Sequence, residues 1–186
     1  MKVTKAQAQE NRELVVKTAS VLFRERGYDG VGIAELMSTA GFTHGGFYKH
    51  FKSKADLMAE AAAYSFAQSN EELSNLDSVS FVQRYLSREH RDAPGSGCIM
   101  AALCADAGRQ DTPLKETFLT GIEKQLADLS KDRESTLEQR KTQINTIAHA
   151  VGALVLSRSC PDDSYLADEI LEVCREEILA KLTANK

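Results

Sequence analysis

Tryptophan is missing from the 186 residues, proline occurs three times, glycine eleven times, and aromatic residues make up 6% of the chain. So little proline and glycine excludes a collagen-like repeat and a many-turned all-β architecture, while the 42% hydrophobic content excludes an intrinsically disordered chain. Cysteine is sparse too. Cys98, Cys104, Cys160 and Cys174 form no CxxC pair, and His44, His50, His90 and His149 do not stand beside them at zinc-ligand spacing, so no metal and no other cofactor is expected. A long hydrophobic run is also lacking. The longest charge-free stretch, Thr142 to Ser157, contains Gln143, Asn145 and His149 and falls short of the ~18 apolar residues of a membrane span. The start MKVTKAQAQENREL carries no apolar leader core. The expectation is a soluble, cytoplasmic chain with reduced thiols and no membrane partner. No Ser/His/Asp, Cys/His or paired-carboxylate arrangement stands at a diagnostic spacing, and no glycine-rich phosphate loop follows a strand, so no catalytic residues are assigned and an all-α enzyme with an incidental basic end is the weaker alternative.

What is present is helical. Ala, Leu, Glu, Lys, Gln and Arg fill long windows, and the apolar spacing predicts an all-α fold of about nine helices. Leu14, Val15, Ala19, Leu22 and Phe23 mark a first helix from about Lys5 to Arg26, ended by Gly27; a short second runs from Ile33 to Thr39 and stops at Ala40-Gly41. Thr43 caps a third, roughly His44 to Phe51, and Ser53 with Asp56 opens a long fourth reaching about Leu73. After a break at Ser74 to Ser78 comes a helix with Phe81, Val82, Tyr85 and Leu86, then a loop from Arg91 to Gly97. Four more helices are expected at about Cys98–Arg109, Pro113–Ser130, Leu137–Arg158 and Tyr165–Leu182.

The net charge of −4 conceals an asymmetry. Residues 1–54 hold nine Lys/Arg and five Asp/Glu, a net of +4, which leaves −8 for the remainder. The first part is suited to an anion. Its three short helices, with a glycine between the second and third, fit a helix-turn-helix whose third helix enters the DNA major groove. Gly45 and Gly46 each cost about 1 kcal/mol against Ala in a helix, so their presence points to a backbone that something approaches closely. Phe42, Phe47 and Phe51 are core aromatics at helical spacing. Thr43, at a helix N-terminus, can serve both as cap and as phosphate ligand. His44 and Lys49, with Gly45 between them, are the base-reading candidates, since both side chains can donate to guanine O6 or N7.

The string Ala40-Gly41-Phe42-Thr43-His44-Gly45-Gly46-Phe47-Tyr48-Lys49-His50-Phe51-Lys52-Ser53-Lys54 resembles the signature of the TetR family of bacterial transcriptional regulators, and Phe23-Arg24-Glu25-Arg26-Gly27-Tyr28 extends the resemblance over about residues 10–60. Val31-Gly32, in place of a Thr-rich start of the second helix, and Met37, in place of a common Ala, depart from the pattern. The resemblance implies a helix-turn-helix DNA-binding domain over residues 1–53 and a ligand-binding and dimerisation domain over residues 54–186. It further implies phosphate contacts from Tyr48, His50 and Lys54 beside Thr43, double-stranded operator DNA as partner, and a homodimer that a small-molecule effector releases from its operator.

In the second region, Ala148, Gly152, Leu156 and Ile170 are the expected dimer-interface positions on the last two long helices. Phe66, Phe81, Tyr85, Met100, Phe118 and Ile122 are the expected lining of an apolar ligand pocket. Cys98, after a Gly-Ser-Gly loop at a helix N-terminus, and Cys104 are candidates for a thiol sensor of oxidants or electrophiles, an alternative input to the same regulator.

Overall fold

The computed structural model describes residues 4–73, 76–129 and 136–184. Within them the chain is helical throughout, in the order expected. Helix α1 (Lys5–Arg26) begins where the Thr4 hydroxyl accepts the Gln7 N–H at 3.1 Å, and closes at Gly27, whose φ of +73° lets its N–H reach the Phe23 carbonyl at 2.8 Å. Val15, Ala19 and Phe23 form its fully buried stripe. Leu14 is not on that stripe. It is 47% exposed, because a helix turns ~100° per residue and Val15 already takes the inner position.

Helix α2 (Ile33–Thr39) leads through a tight turn at Gly41, φ +83°, to a 3₁₀ helix at His44–Lys49. The expected α-helix from His44 to Phe51 is therefore shorter and tighter than its spacing suggested. Two adjacent glycines weaken the α-helical register there, and the His50 N–H closes the segment on the Phe47 carbonyl at 2.9 Å. Thr43 occupies the N-cap position, but its side chain makes no capping hydrogen bond.

Helix α3 (Lys54–Leu73) starts where the Ser53 hydroxyl accepts the Asp56 N–H and the Asp56 carboxylate accepts the Lys52 N–H, each at 3.1 Å. This is the expected capping pair, with the return bond displaced one residue upstream of a standard box. The helix leaves the first unit and packs on α7 (Thr112–Asp128), where a Cβ on Gly121 would lie 2.4 Å from the Phe66 ring. Only glycine permits that approach.

Helices α4 (Ser78–Tyr85), α5 (Arg88–Asp92) and α6 (Ile99–Ala107) follow, with a 3₁₀ turn at Pro94–Ser96 before α6. The expected loop from Arg91 to Gly97 is thus partly helical. Arg91, in the last turn of α5, is buried, its guanidinium on Asp92 at 2.6 Å and on the Asp162 carbonyl at 3.2 Å. Helices α8 (Leu137–Arg158) and α9 (Tyr165–Ala184) pack together at the end of the chain. Thr136 and Gln139 cap α8 reciprocally at 3.2 and 2.7 Å. Ser74 and Ser130, expected limits of a break and of a helix, lie outside the described residues. Among the described residues no helix is long and apolar enough to cross a membrane.

Candidate nucleic-acid interface

Helices α1 and α2 and the 3₁₀ segment enclose a small core of Phe23, Tyr28, Val31, Leu36, Met37 and Phe47, all at most 1% exposed. Phe47 is the pivot. Its ring meets Tyr48 edge-on at 5.2 Å and Phe51 at 5.4 Å, so the 3₁₀ segment turns one aromatic inward and presents the rest of its surface outward. Thr43, His44, Gly45, Tyr48 and Lys49 are all exposed, and Tyr48, at 63%, is flanked by the His44 ring at 6.2 Å. Five of the expected contact residues therefore share one short outward surface. Phe42 only borders the core, as a partly buried ring.

The two glycines have different surroundings. A Cβ at Gly45 would meet nothing within 4 Å, and one at Gly46 would meet Met37 Cε at 3.6 Å and Thr43 Oγ1 at 3.8 Å, both ordinary contacts. Nothing inside the chain requires glycine at either position. At the start of α2, Val31 is buried and Gly32 sits at the N-cap with no side-chain hydrogen bond, so that helix end offers backbone N–H groups and no hydroxyl.

His50 is half-buried at the end of the segment. Lys54 is also half-buried, and its ammonium donates to the Tyr28 carbonyl, which ties the first turn of α3 to the end of α1. An ammonium has three donors, so this bond leaves capacity for a second partner.

The arginines of this region are occupied differently from its lysines. Arg12 pairs bidentately with Glu60, Arg26 pairs with Glu35, and Arg24 is buried with its guanidinium on the Gly95 carbonyl and on the Ser65 hydroxyl, the latter at 2.7 Å. Lys49 and Lys52 are exposed. Sequence reasoning left Arg24 unassigned. Its register was the available signal, since it falls four residues after Ser20 and eight after Val16, both buried on α1.

Arg24 also links the two regions. The carbonyl it holds belongs to the Pro94–Ser96 turn, and Ala93, Ser96 and Gly97 line a cavity of about 250 Å³ bordered by α4, α5, α6, α7, α8 and the distal part of α3. Of the six expected lining residues, Phe81, Tyr85 and Met100 line it, whereas Phe66, Phe118 and Ile122 do not. Phe66 and Phe118 stack edge-on at 5.3 Å over Gly121 and belong to the core, with Ile122 packed against that core. Their apolar spacing was the same as that of pocket residues, so periodicity alone could not separate them. Gln125, Ile147 and Val151 line the cavity instead.

Cys98, at the N-cap of α6, is in the cavity wall and donates its N–H to His90 Nε2 at 3.1 Å. That bond requires an unprotonated Nε2, so the proton is on Nδ1 and is donated to the Tyr85 carbonyl at 2.7 Å. The Tyr85 hydroxyl is buried beside the Cys98 thiol, and burial, then the neighbouring thiol, raises it well above the usual tyrosine range. Cys104 faces the core, and burial, then the nearby Cys98, pushes its thiol up to about 11. A thiol so raised is a poor nucleophile at neutral pH, which argues against Cys104 as the sensing residue.

At the far end of the molecule, Ile144, Ala148, Val155 and Leu156 are exposed on α8 with Gly152 among them, and Tyr165, Leu166 and Val173 are exposed on α9. A Cβ on Gly152 would meet nothing within 4 Å. Ile170, expected on this face, is partly packed into the chain's own core instead.

A helix-turn-helix unit continuous through one long helix with an all-helical body is the build of a helix-turn-helix transcriptional regulator. Residues 15–61 match the family described as bacterial regulatory proteins, tetR family. It is 35% identical over 68 residues to the uncharacterized regulator YerO of Bacillus subtilis and 40% identical over 57 residues to the regulator AcrR of Shigella flexneri. Those alignments cover 37% and 31% of this chain but only 24% and 26% of the two relatives, about a quarter of their lengths. A longer alignment, 28% identical over 139 residues, covers 69% of this chain and 70% of the transcriptional repressor NemR of Escherichia coli. The fold is similar to that of the reduced form of Escherichia coli NemR, with a TM-score of 0.75 at 22% identity over 91% of this chain and 95% of that one. It is also similar to a TetR regulator from Chloroflexus aurantiacus, with a TM-score of 0.70 at 23% identity over 96% of both chains.

Proposed function

We propose that this protein is a homodimeric, non-enzymatic repressor that binds operator DNA through residues 1–53 and is released when a small molecule occupies the cavity of residues 54–186. The observation that carries the DNA reading is the shared outward surface of Thr43, His44, Gly45, Tyr48 and Lys49, backed by glycines that the chain's own packing does not require. In this reading Thr43, Tyr48, His50 and Lys54 meet phosphates, while His44, Lys49 and the bare backbone of Gly45 face base edges. Lys54 reaches phosphate with the donors that the Tyr28 carbonyl leaves available.

The apolar stripe of α8 and α9 supports pairing with a second copy, which sets two recognition segments for half-sites ~34 Å apart or a multiple of it. Release follows from continuity: α3 runs from Lys54 to the cavity at Ser69, and Arg24 holds both Ser65 and the Gly95 carbonyl, whose neighbours Ala93, Ser96 and Gly97 line the cavity. A second reading, in which a thiol is the input, is favoured by one observation, the place of Cys98 in that wall at the N-cap of α6.

Footprinting purified protein on DNA upstream of its own gene tests the first reading. Symmetric protection of two half-sites, lost on addition of an effector found by screening that fragment, supports it. No protection at low salt contradicts it. Reciprocity adds a check: saturating operator weakens effector binding by the same factor, ~5–150-fold for coupled sites, and equal effector affinities with and without operator exclude the coupling.

A further inference from the structure

We propose that Arg12 on α1 is a positioning residue that holds the recognition segment in its DNA-reading pose without touching DNA. This rests on the DNA-binding reading above. Arg12 makes three contacts with three parts of the first unit. Its two terminal nitrogens take both oxygens of Glu60 on α3, its Nε donates to the His50 carbonyl at 3.4 Å, and its guanidinium carbon lies 4.8 Å from the centre of the Phe51 ring. His50 and Phe51 are the two residues that follow the 3₁₀ segment. Phe51 in turn packs on Phe47 at 5.4 Å, the ring on which Tyr48 rests. The guanidinium thus bridges the chain immediately after the recognition surface to the two long helices that flank it.

Planar geometry is what makes this possible. One face covers an aromatic ring while the edge forks onto a carboxylate, a combination that the ammonium of lysine cannot reproduce. The pair is about 30% exposed on each side, so water screens it partly and leaves its geometry intact. Arg12 belongs to the basic part of the chain, and a composition argument alone counts it among the phosphate-binding cations. Its charge is already matched by Glu60, so it releases no counterion from DNA.

The two roles give opposite results for one substitution. Glu60→Gln removes a negative charge from the DNA-binding unit. If Arg12 were a phosphate ligand, freeing it would tighten binding; if it is a clamp, losing the fork loosens the recognition segment and weakens binding. The probe is the duplex that wild-type protein selects from a random-sequence duplex library, titrated over a range of salt concentrations. The clamp predicts that Glu60→Gln, Arg12→Lys and Arg12→Ala all lose about tenfold in affinity for the selected duplex. It also predicts that the slope of log affinity against log salt stays at the wild-type value in all three. Tighter binding by Glu60→Gln, a shallower slope in Arg12→Ala, or wild-type affinity in Arg12→Lys each overturns the proposal. Glu60→Gln is nearly isosteric and keeps the assay informative if the Arg12 variants fold poorly. If wild-type protein selects no duplex at all, the DNA-binding reading has failed, an outcome distinct from a clamp that proves dispensable.

Discussion

The two ends of this molecule leave opposite chemistries unsatisfied. Around the 3₁₀ segment the outward groups are Lys49, Lys52, His44 and the Tyr48 ring; along α8 and α9 they are Ile144, Val155, Leu156, Leu166 and Val173. Each region has meanwhile used its arginines internally. Arg12, Arg24 and Arg26 hold the first unit together, and Arg158 and Arg175 hold the carbonyls of His90, Arg91 and Leu86 in the second. The comparison teaches that basic residues in one chain do two jobs that composition cannot separate. The planar forks satisfy carbonyls and carboxylates within the fold, while Lys49 and Lys52 are exposed on the first unit and Lys54 keeps donors beyond the one it gives the Tyr28 carbonyl.

The largest expected effect lies at the apolar end. Gly152→Glu introduces a carboxylate where the chain itself leaves open space, so folding should be unaffected while a paired face would have to bury an uncompensated charge. Sedimentation should give a monomer with unchanged helicity. A dimer of wild-type strength would remove Gly152 from the interface.

Next comes Arg24, buried at 7% exposure and bonded to Gly95 and Ser65. Arg24→Ala strands the Gly95 carbonyl and should cost about 2–4 kcal/mol in chemical denaturation. By contrast, Arg26→Ala breaks a pair that is roughly half exposed on each side and should cost less than about 1 kcal/mol. Equal losses for the two would mean that the burial of Arg24 does not matter.

The smallest effect is chemical. With its thiol raised to about 11, Cys104 holds little thiolate near neutrality and should be alkylated at least about tenfold more slowly than an unperturbed thiol, with the rate climbing as pH rises toward that value. Peptide mapping after a timed pulse of iodoacetamide measures it. Early labelling of Cys104 would restore it as a sensing candidate.

How much of this was legible in the sequence differs between the two ends for a physical reason. In the first unit the proposed contact residues all fall between Thr43 and Lys54, so one linear string contains them. In the second unit the cavity is assembled from six helices, and whether an aromatic faces inward space or another side chain depends on packing partners far along the chain. Phe81 and Phe66 look alike in sequence, yet one lines the cavity and the other fills the gap over Gly121. Helix limits set by local caps, such as those of α1, α2 and α8, were readable to the residue. The buried end of α5 was not, because Arg91 and the carbonyls around it are held by residues some 70 positions away.

The central claim is that lysines of the recognition surface meet DNA while the arginines of the same region serve the fold. Measuring the salt dependence of operator binding for wild type, Lys54→Ala and Arg26→Ala tests it most directly. Each lost phosphate contact lowers the log-log slope by about 0.9, so a dimer losing Lys54 from both protomers should fall by about two, and Arg26→Ala should keep the wild-type slope. A slope unchanged in Lys54→Ala and reduced in Arg26→Ala would contradict the account.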